Sequence, residues 1–195
     1  MILGITGGTG CGKTTLLEEI KDVGGLILDC DAIYHELVQS DGALLERISQ
    51  RFHGVVENGV LQSKKLGAIV FSDEAALQDL NRITHAAVKK EVLRRLESGP
   101  SLAAIDAIAL FEGGLAELCD VTVAITAPTE ERVSRLMARD GISEAYARSR
   151  IAAQHEEAWF RQRCDAVLCN DGTREAFRQK CLAFLLSQGI MKEKA

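Results

Sequence analysis

Proline is nearly absent from this 195-residue sequence, with Pro100 and Pro128 the only two. There is no Pro- or Ser-rich linker, no low-complexity stretch and no internal repeat, which argues against a string of tethered modules or a disordered chain. An excess of positive charge is also missing: 23 Lys and Arg against 28 Asp and Glu give a net charge of −5. The basic footprint of a general nucleic-acid binder is therefore lacking, and no nucleic-acid partner is expected. No run approaches the roughly 18 uninterrupted apolar residues of a membrane helix, so no membrane association is expected. The first residues, Met1-Ile2-Leu3-Gly4-Ile5-Thr6, carry neither the charged start nor the long apolar stretch of a secretion signal. None of the six cysteines (Cys11, Cys30, Cys119, Cys164, Cys169, Cys181) forms a C-x-x-C pair, which removes zinc ribbons and thioredoxin-like motifs. The expectation is a soluble cytoplasmic protein whose cysteines are reduced and serve as small core residues.

What is present is a series of short apolar runs at 2–6, 25–28, 102–105, 121–125 and 166–169, alternating with helical patterns. Strands buried on both faces and separated by helices predict an α/β fold with a five-stranded parallel sheet between helical layers. A first helix is predicted from near Lys13 to the Gly24-Gly25 stop. Residues 32–99 hold helical patterns and no core strand, and read as a helical lobe inserted between the second and third strands. Within it, Ser72-Asp73 caps a helix that Gly99-Pro100 ends. After the fourth strand one helix is broken at Asp140-Gly141, a second runs from Ser143 through Ile151 toward Trp159, and the last starts near Thr173.

Gly7-Gly8-Thr9-Gly10-Cys11-Gly12-Lys13-Thr14 satisfies every fixed position of G-x-x-x-x-G-K-[ST] between an apolar strand and an amphipathic helix. Glycines let backbone N–H groups turn inward around phosphate oxygens, and the helix start adds partial positive charge. Lys13 brings a full charge to the β and γ phosphates, and the Thr14 hydroxyl can ligate Mg²⁺. The D-x-x-G and N-K-x-D motifs of a GTPase are missing.

Acidic residues stand where such a site needs them. Asp29-Cys30-Asp31 follows the second strand, and two roles fit Asp31: a base that takes the proton of an attacking hydroxyl, or the N-cap of the next helix. Asp106 ends the third strand, the position that helps hold Mg²⁺ beside a phosphate loop. Glu112 is either at the site's edge or an ordinary surface residue. Arg132, Arg135, Arg139, Arg148 and Arg150 crowd one stretch, with Arg161 and Arg163 beyond, as expected of a lid that excludes water and meets phosphoryl charge. His35, His53, His85 and His155 show no metal-ligand spacing and read as surface or packing residues.

The ordered set of these elements resembles the dephospho-CoA kinase family. It runs from Ile5-Thr6-Gly7 through Asp29-Cys30-Asp31, Asn58-Gly59-Val60-Leu61, Ile83-Thr84-His85 and Leu110-Phe111-Glu112. It continues to Arg135 through Gly141, Arg150-Ile151-Ala152-Ala153-Gln154 and Asn170-Asp171-Gly172. The resemblance implies a three-layer P-loop kinase fold with a core (about 1–31, 100–134 and 164–195), a helical CoA-binding lobe (about 32–99) and a helical lid (about 135–163). It implies that ATP and dephospho-CoA give ADP and CoA, with Mg²⁺ held at Thr14 and Asp106. Asp31 matches the family's base, Lys13 its phosphate contact and Arg139 its lid arginine. The expected ATP contacts are Gly8, Thr9, Gly10, Cys11, Gly12, Lys13, Thr14, Thr15, Asn170 and Gly172; the expected acceptor contacts are Asp31, His85, Leu110 and Glu112. The sequence departs from the family pattern at Ala86, at Ile108-Ala109 and at Ser63. Two other readings share the same cradle: a kinase of another nucleoside or nucleotide, and a regulatory protein that binds ATP without transferring phosphate.

Overall fold

The structure, a computed structural model, describes residues 1–191; residues 192–195, the end of the last core segment, lie outside the described residues. Its elements run β1 (Ile2–Thr6), α1 (Lys13–Asp22), β2 (Leu26–Asp29), α2 (Cys30–Ser40), α3 (Gly42–Arg51), β3 (Val56–Glu57), β4 (Val60–Leu61), α4 (Ser63–Val70) and α5 (Glu74–Leu96). There follow β5 (Ala103–Asp106), β6 (Val121–Thr126), α6 (Thr129–Asp140), α7 (Glu144–Ala152), α8 (Glu157–Arg163), β7 (Ala166–Cys169) and α9 (Arg174–Ser187).

Five strands form one parallel sheet in the order β2-β5-β1-β6-β7. Its central members are mainly apolar because helices cover both faces, with Thr6, Asp106 and Thr126 at their carboxyl ends. On one face Leu3, Ile5, Val123 and Ile125 pack with Leu16 and Ile20 of α1 and Phe177 and Leu185 of α9. On the other, Leu28 and Ile105 pack with Ile33 of α2, Val88 and Val92 of α5, and Leu110. The order places β1 in the middle, with β5 and β6 on its flanks, so the loop that leaves β1 opens at the centre of the sheet's carboxyl edge, where α/β folds bind ligands.

The stretch at 32–99 carries a cluster of its own, with Leu44, Ile48, Phe52, Leu66, Val70 and Ala76 at its centre. Helix α5 serves both clusters. Its 23 residues span about 34 Å. Ala76 faces the outer cluster, whereas Val88 and Val92 face the sheet. Asp73 caps α5 by accepting from the amides of Ala75 and Ala76 at 2.9 and 3.1 Å, a contribution of about 1 kcal/mol. Ser143 and Thr173 cap α7 and α9, and Gly141, at φ 65°, ends α6.

Three expectations are corrected. The 32–99 region is not wholly helical, since Val56–Glu57 and Val60–Leu61 pair as a short antiparallel hairpin away from the main sheet. The helix from Ser143 toward Trp159 is two helices, separated at 153–156. Asp31 does not cap α2: Asp29 does, its Oδ1 accepting from the amides of Asp31 and Ala32 at 2.9 and 3.0 Å.

Candidate active site

The loop 7–12 wraps around the start of α1. Gly7 has φ 136°, and a Cβ there would stand 2.2 Å from the Ile125 carbonyl oxygen, so β6 itself excludes a side chain. Gly12, at φ 92°, precedes Lys13 and would collide with the Asn170 amide at 2.4 Å. These two positions need glycine for backbone shape and close approach alike.

The loop's outward carbonyls are each taken by a side chain from a distant segment. Arg132 Nε donates to Thr9 O at 2.9 Å, Arg135 Nη1 to Gly10 O at 3.2 Å, and Asn170 Nδ2 to Cys11 O at 2.9 Å. Gln154 completes the grip: its Oε1 accepts from the Thr9 amide at 2.9 Å and from Arg132 Nη2 at 2.7 Å. The Thr9 amide goes to Gln154 and the Cys11 amide to Gly8 O, which leaves the remaining amides of the cradle to face an anion. Arg132 is buried (9% exposed) with a carbonyl and an amide oxygen as its partners. Cys11 is buried beneath the loop, and burial pushes its thiol up, against the pull of Arg132 and Lys13.

Residues 8–14 line a cavity of about 700 Å³ together with Asp31, Asp106, Ile108, Arg135, Arg139 and Arg150. Lys13 Nζ stands 3.6 Å from Asp106 Oδ1, both side chains largely shielded from water (16% and 17% exposed). That oxygen is buried and has no hydrogen-bond partner. Burial raises the Asp106 carboxyl to about 6; Lys13 pulls it down, and Asp29 and Asp31 push it up. An orphaned carboxylate oxygen in a cavity that Thr14 also lines fits a small hard cation that keeps most of its ligands from water and phosphate. Cys30 sits in the same acidic field: burial, then Asp106, Asp29 and Asp31, push its thiol up to about 12, so it stays an inert thiol.

A second cavity, of about 280 Å³ and mostly apolar, lies against the first between α2, α5 and the loop 107–115. Tyr34, Asn81, Thr84, His85 and Val88 line it. Asp31 and Ile108 line both cavities. Because Asp29 does the capping, the Asp31 carboxylate is free and exposed at this junction.

On the far wall of the cradle, the last turn of α6 carries Arg139 and Asp140. Asp140 accepts from Arg139 at 2.7 and 3.1 Å and from Arg150 Nη1 at 2.8 Å. These bonds, Arg139's first, hold the Asp140 carboxyl down at about 2. One carboxylate thus fixes two guanidinium groups on the cavity wall.

Several expected residues are placed elsewhere. Leu110 is fully buried (0% exposed) in the core between sheet and α5, and cannot touch an acceptor. Glu112 lines neither cavity; its Oε1 lies 2.7 Å from His155 Nε2 of the lid. Asn170 is buried and commits its amide nitrogen to the Cys11 carbonyl, so it shapes the cradle from behind. Thr15 faces a separate groove with Glu18 and Arg174, and Gly172 lines neither of the two cavities. Sequence reasoning named Arg132 and Gln154 without their grip on the loop, and passed over Asn81. The first two sat in a stretch already marked by its arginines, yet nothing in their spacing shows that they meet at Thr9.

A glycine loop with Lys13, opposed by acidic residues at two neighbouring strand ends and by arginines of α6 and α7, defines a P-loop kinase. Known proteins agree on this and narrow it. A family model for dephospho-CoA kinase matches residues 1–176, and on that match the chain belongs to the dephospho-CoA kinase family. The dephospho-CoA kinase of Geobacillus kaustophilus is 35% identical over 191 residues, covering 95% of each chain. That of Moorella thermoacetica is 37% identical over 184 residues, 91% of this chain and 87% of its own. A crystal structure from Thermus thermophilus superimposes with a TM-score of 0.83 at 32% identity, covering 96% of this chain and 97% of the other. Among the described residues no helix is long and apolar enough to cross a membrane.

Proposed function

We propose that the chain moves the γ-phosphoryl group of ATP onto the 3′-hydroxyl of the adenosine ribose in dephospho-CoA, giving CoA and ADP. Membership of the family supports the reaction. The observation that carries the assignment of roles is the shared wall: Asp31 borders both the phosphate cavity and the apolar cavity beside it.

In this reading the cradle amides and Lys13 hold the β and γ phosphates of ATP. Thr14 and Asp106 would hold Mg²⁺, which would supply positive charge against the β and γ phosphates. The cavity between α2 and α5 takes the nucleoside end of the acceptor, with His85, Thr84 and Asn81 as polar groups on an apolar wall. Asp31 orients the ribose hydroxyl and accepts its proton as the new O–P bond forms and the bond from γ-phosphorus to the ADP oxygen breaks. Arg139 and Arg150, pre-positioned by Asp140, meet the charge that spreads over the phosphoryl oxygens. Asn170 supports the cradle and does not read the base.

The test is to combine the protein with ATP, Mg²⁺ and dephospho-CoA and to identify the product by mass and phosphorus NMR. A single new phosphate on the 3′ oxygen is expected. Phosphate at another position overturns the acceptor assignment. Intact ATP binding without transfer to any acceptor would instead favour a regulatory ATP-binding protein.

A further inference from the structure

The loop 107–115 forms one wall of the apolar cavity through Ala107, Ile108, Ala109, Gly113 and Leu115. Phe111 and Glu112, at its crest, do not face that cavity. They reach the lid instead. Glu112 Oε1 lies 2.7 Å from His155 Nε2. The His155 ring lies flat on the Trp159 indole, with centroids 3.8 Å apart and planes 2° from parallel. Phe111 meets the same indole edge-on at 5.4 Å, and the Arg163 guanidinium stands 4.3 Å from the indole's centre. Phe160, nearly buried, closes the group from the α8 side at 5.2 Å from Trp159.

The loop can transmit what happens at its crest. Gly113 N donates to Ala109 O at 2.8 Å, Gly114 N to Phe111 O at 3.0 Å and Leu115 N to Leu110 O at 3.0 Å. Leu110 roots it in the core. A displacement of 111–112 therefore moves 109 and 113, two wall residues. On the lid side, His155 follows Gln154, whose side chain grips Thr9 of the cradle. Two adjacent residues in the break between α7 and α8 thus touch the cradle and the acceptor-side loop.

We propose that His155 and Trp159 are positioning residues for the acceptor: through Glu112 and Phe111 they hold the loop 107–115 in the shape that forms the acceptor wall. The proposal rests on the reading of the apolar cavity as the acceptor site. It also couples the two substrates, since a lid seated on the nucleotide cradle is the same lid that seats the acceptor wall, and such coupling is reciprocal. The Glu112 and His155 side chains are both partly exposed, which puts the effect at the low end of the usual range, about 5- to 10-fold.

Trp159 is the sole tryptophan, so its fluorescence reports the contact itself. In His155→Ala without substrates, Trp159 emission should move to the red and become more open to acrylamide quenching, and amide hydrogen exchange across 107–115 should rise. The acceptor KM should increase about 5- to 10-fold, with kcat changed less than about twofold. Glu112→Ala should raise the same KM, and Glu112→Ala/His155→Ala should be no worse than the more impaired single variant. His155→Gln, which can still donate to Glu112 and lie against the indole, should restore most of the acceptor affinity. An unchanged emission spectrum would show that the contact does not form. A changed spectrum with an unchanged acceptor KM, or a loss confined to kcat, would overturn the positioning role. If wild-type protein fails to phosphorylate dephospho-CoA, the acceptor reading fails by itself, and the fluorescence and exchange measurements still decide whether the lid holds the loop.

Discussion

Asp106 should cost the free protein stability that Asp106→Asn recovers. Its carboxyl is raised from 3.8 to about 6, with burial the largest cause. The sign follows from proton linkage. Between these values the folded state binds more protons at Asp106 than the unfolded state does, so stability contributed by this group is complete below 3.8 and is lost as the pH rises through 6. A separation of about two pH units, at about 1.4 kcal/mol each, corresponds to about 3 kcal/mol at pH 8. Lys13 loses its 3.6 Å partner in the variant and takes back part of this. The expected gain for Asp106→Asn is therefore about 1–3 kcal/mol at pH 8, or a Tm higher by roughly 3–10 °C for a chain of this size. The assay is urea and thermal unfolding of both proteins, without nucleotide or divalent cation, from pH 4 to pH 8. The quantity of interest is the difference between them, which should shrink toward zero near pH 4. A variant less stable than wild type at pH 8, or a difference independent of pH, would refute the reasoning and make the Lys13–Asp106 pair a net stabilising contact.

Three further substitutions separate the roles proposed for the site. Lys13→Ala should lower turnover by at least about 10²-fold, because among the described residues no other cation is held beside Asp106 to face the β and γ phosphates; near-normal turnover would sink the cradle assignment. Arg139→Ala should lower kcat by up to about 10³-fold and raise the KM for ATP far less; a loss confined to KM would make it a ground-state contact. Asp31→Asn should slow single-turnover transfer by roughly 10²- to 10⁴-fold while both substrates still bind and stability stays within about 0.5 kcal/mol, since Asp29 is the residue that caps α2. An unimpaired chemical step would remove Asp31 from the mechanism.

The parallel sheet and the phosphate loop were legible in the sequence because both rest on local chemistry. Strand β1, its glycine loop and the start of α1 are one contiguous string, and the buried strands are mainly apolar whatever covers them. Capping by Asp73, Ser143 and Thr173 was equally readable, since a cap reaches only two or three residues. Asp29 and Asp31 show the limit of that reasoning. Either can cap the same helix by spacing, and the choice was made by the backbone turn that leaves β2, which aims Asp29 Oδ1 at two amides. The α7–α8 break carried no glycine or proline to announce it; Gln154 and His155 turn away from a continuous helix to partners 145 and 43 residues distant. Leu110 and Glu112 were placed at the acceptor because they flank Phe111 in a shared motif. The fold gives them different neighbours, one rooted in the core and one bonded to the lid.

The outside of the cradle explains why such distant residues matter. A loop of glycines has little conformational preference, so its shape must be imposed. Here three carbonyls in succession, those of Thr9, Gly10 and Cys11, are held by Arg132, Arg135 and Asn170, and the Thr9 amide by Gln154. Two of these residues stand on α6, one in the break of the lid and one at the end of β7. Each bond is ordinary in strength, but together they remove the freedom the glycines introduce, so the loop meets a phosphate already shaped for it. Three of the four holders belong to α6 and the α7–α8 break, which also carry Arg139 and His155, with Arg150 on α7 between them. In the function proposed here, cradle shape, phosphoryl-facing charge and the acceptor wall are consequently fastened to the same set of helices, and a change in their seating would reach all three.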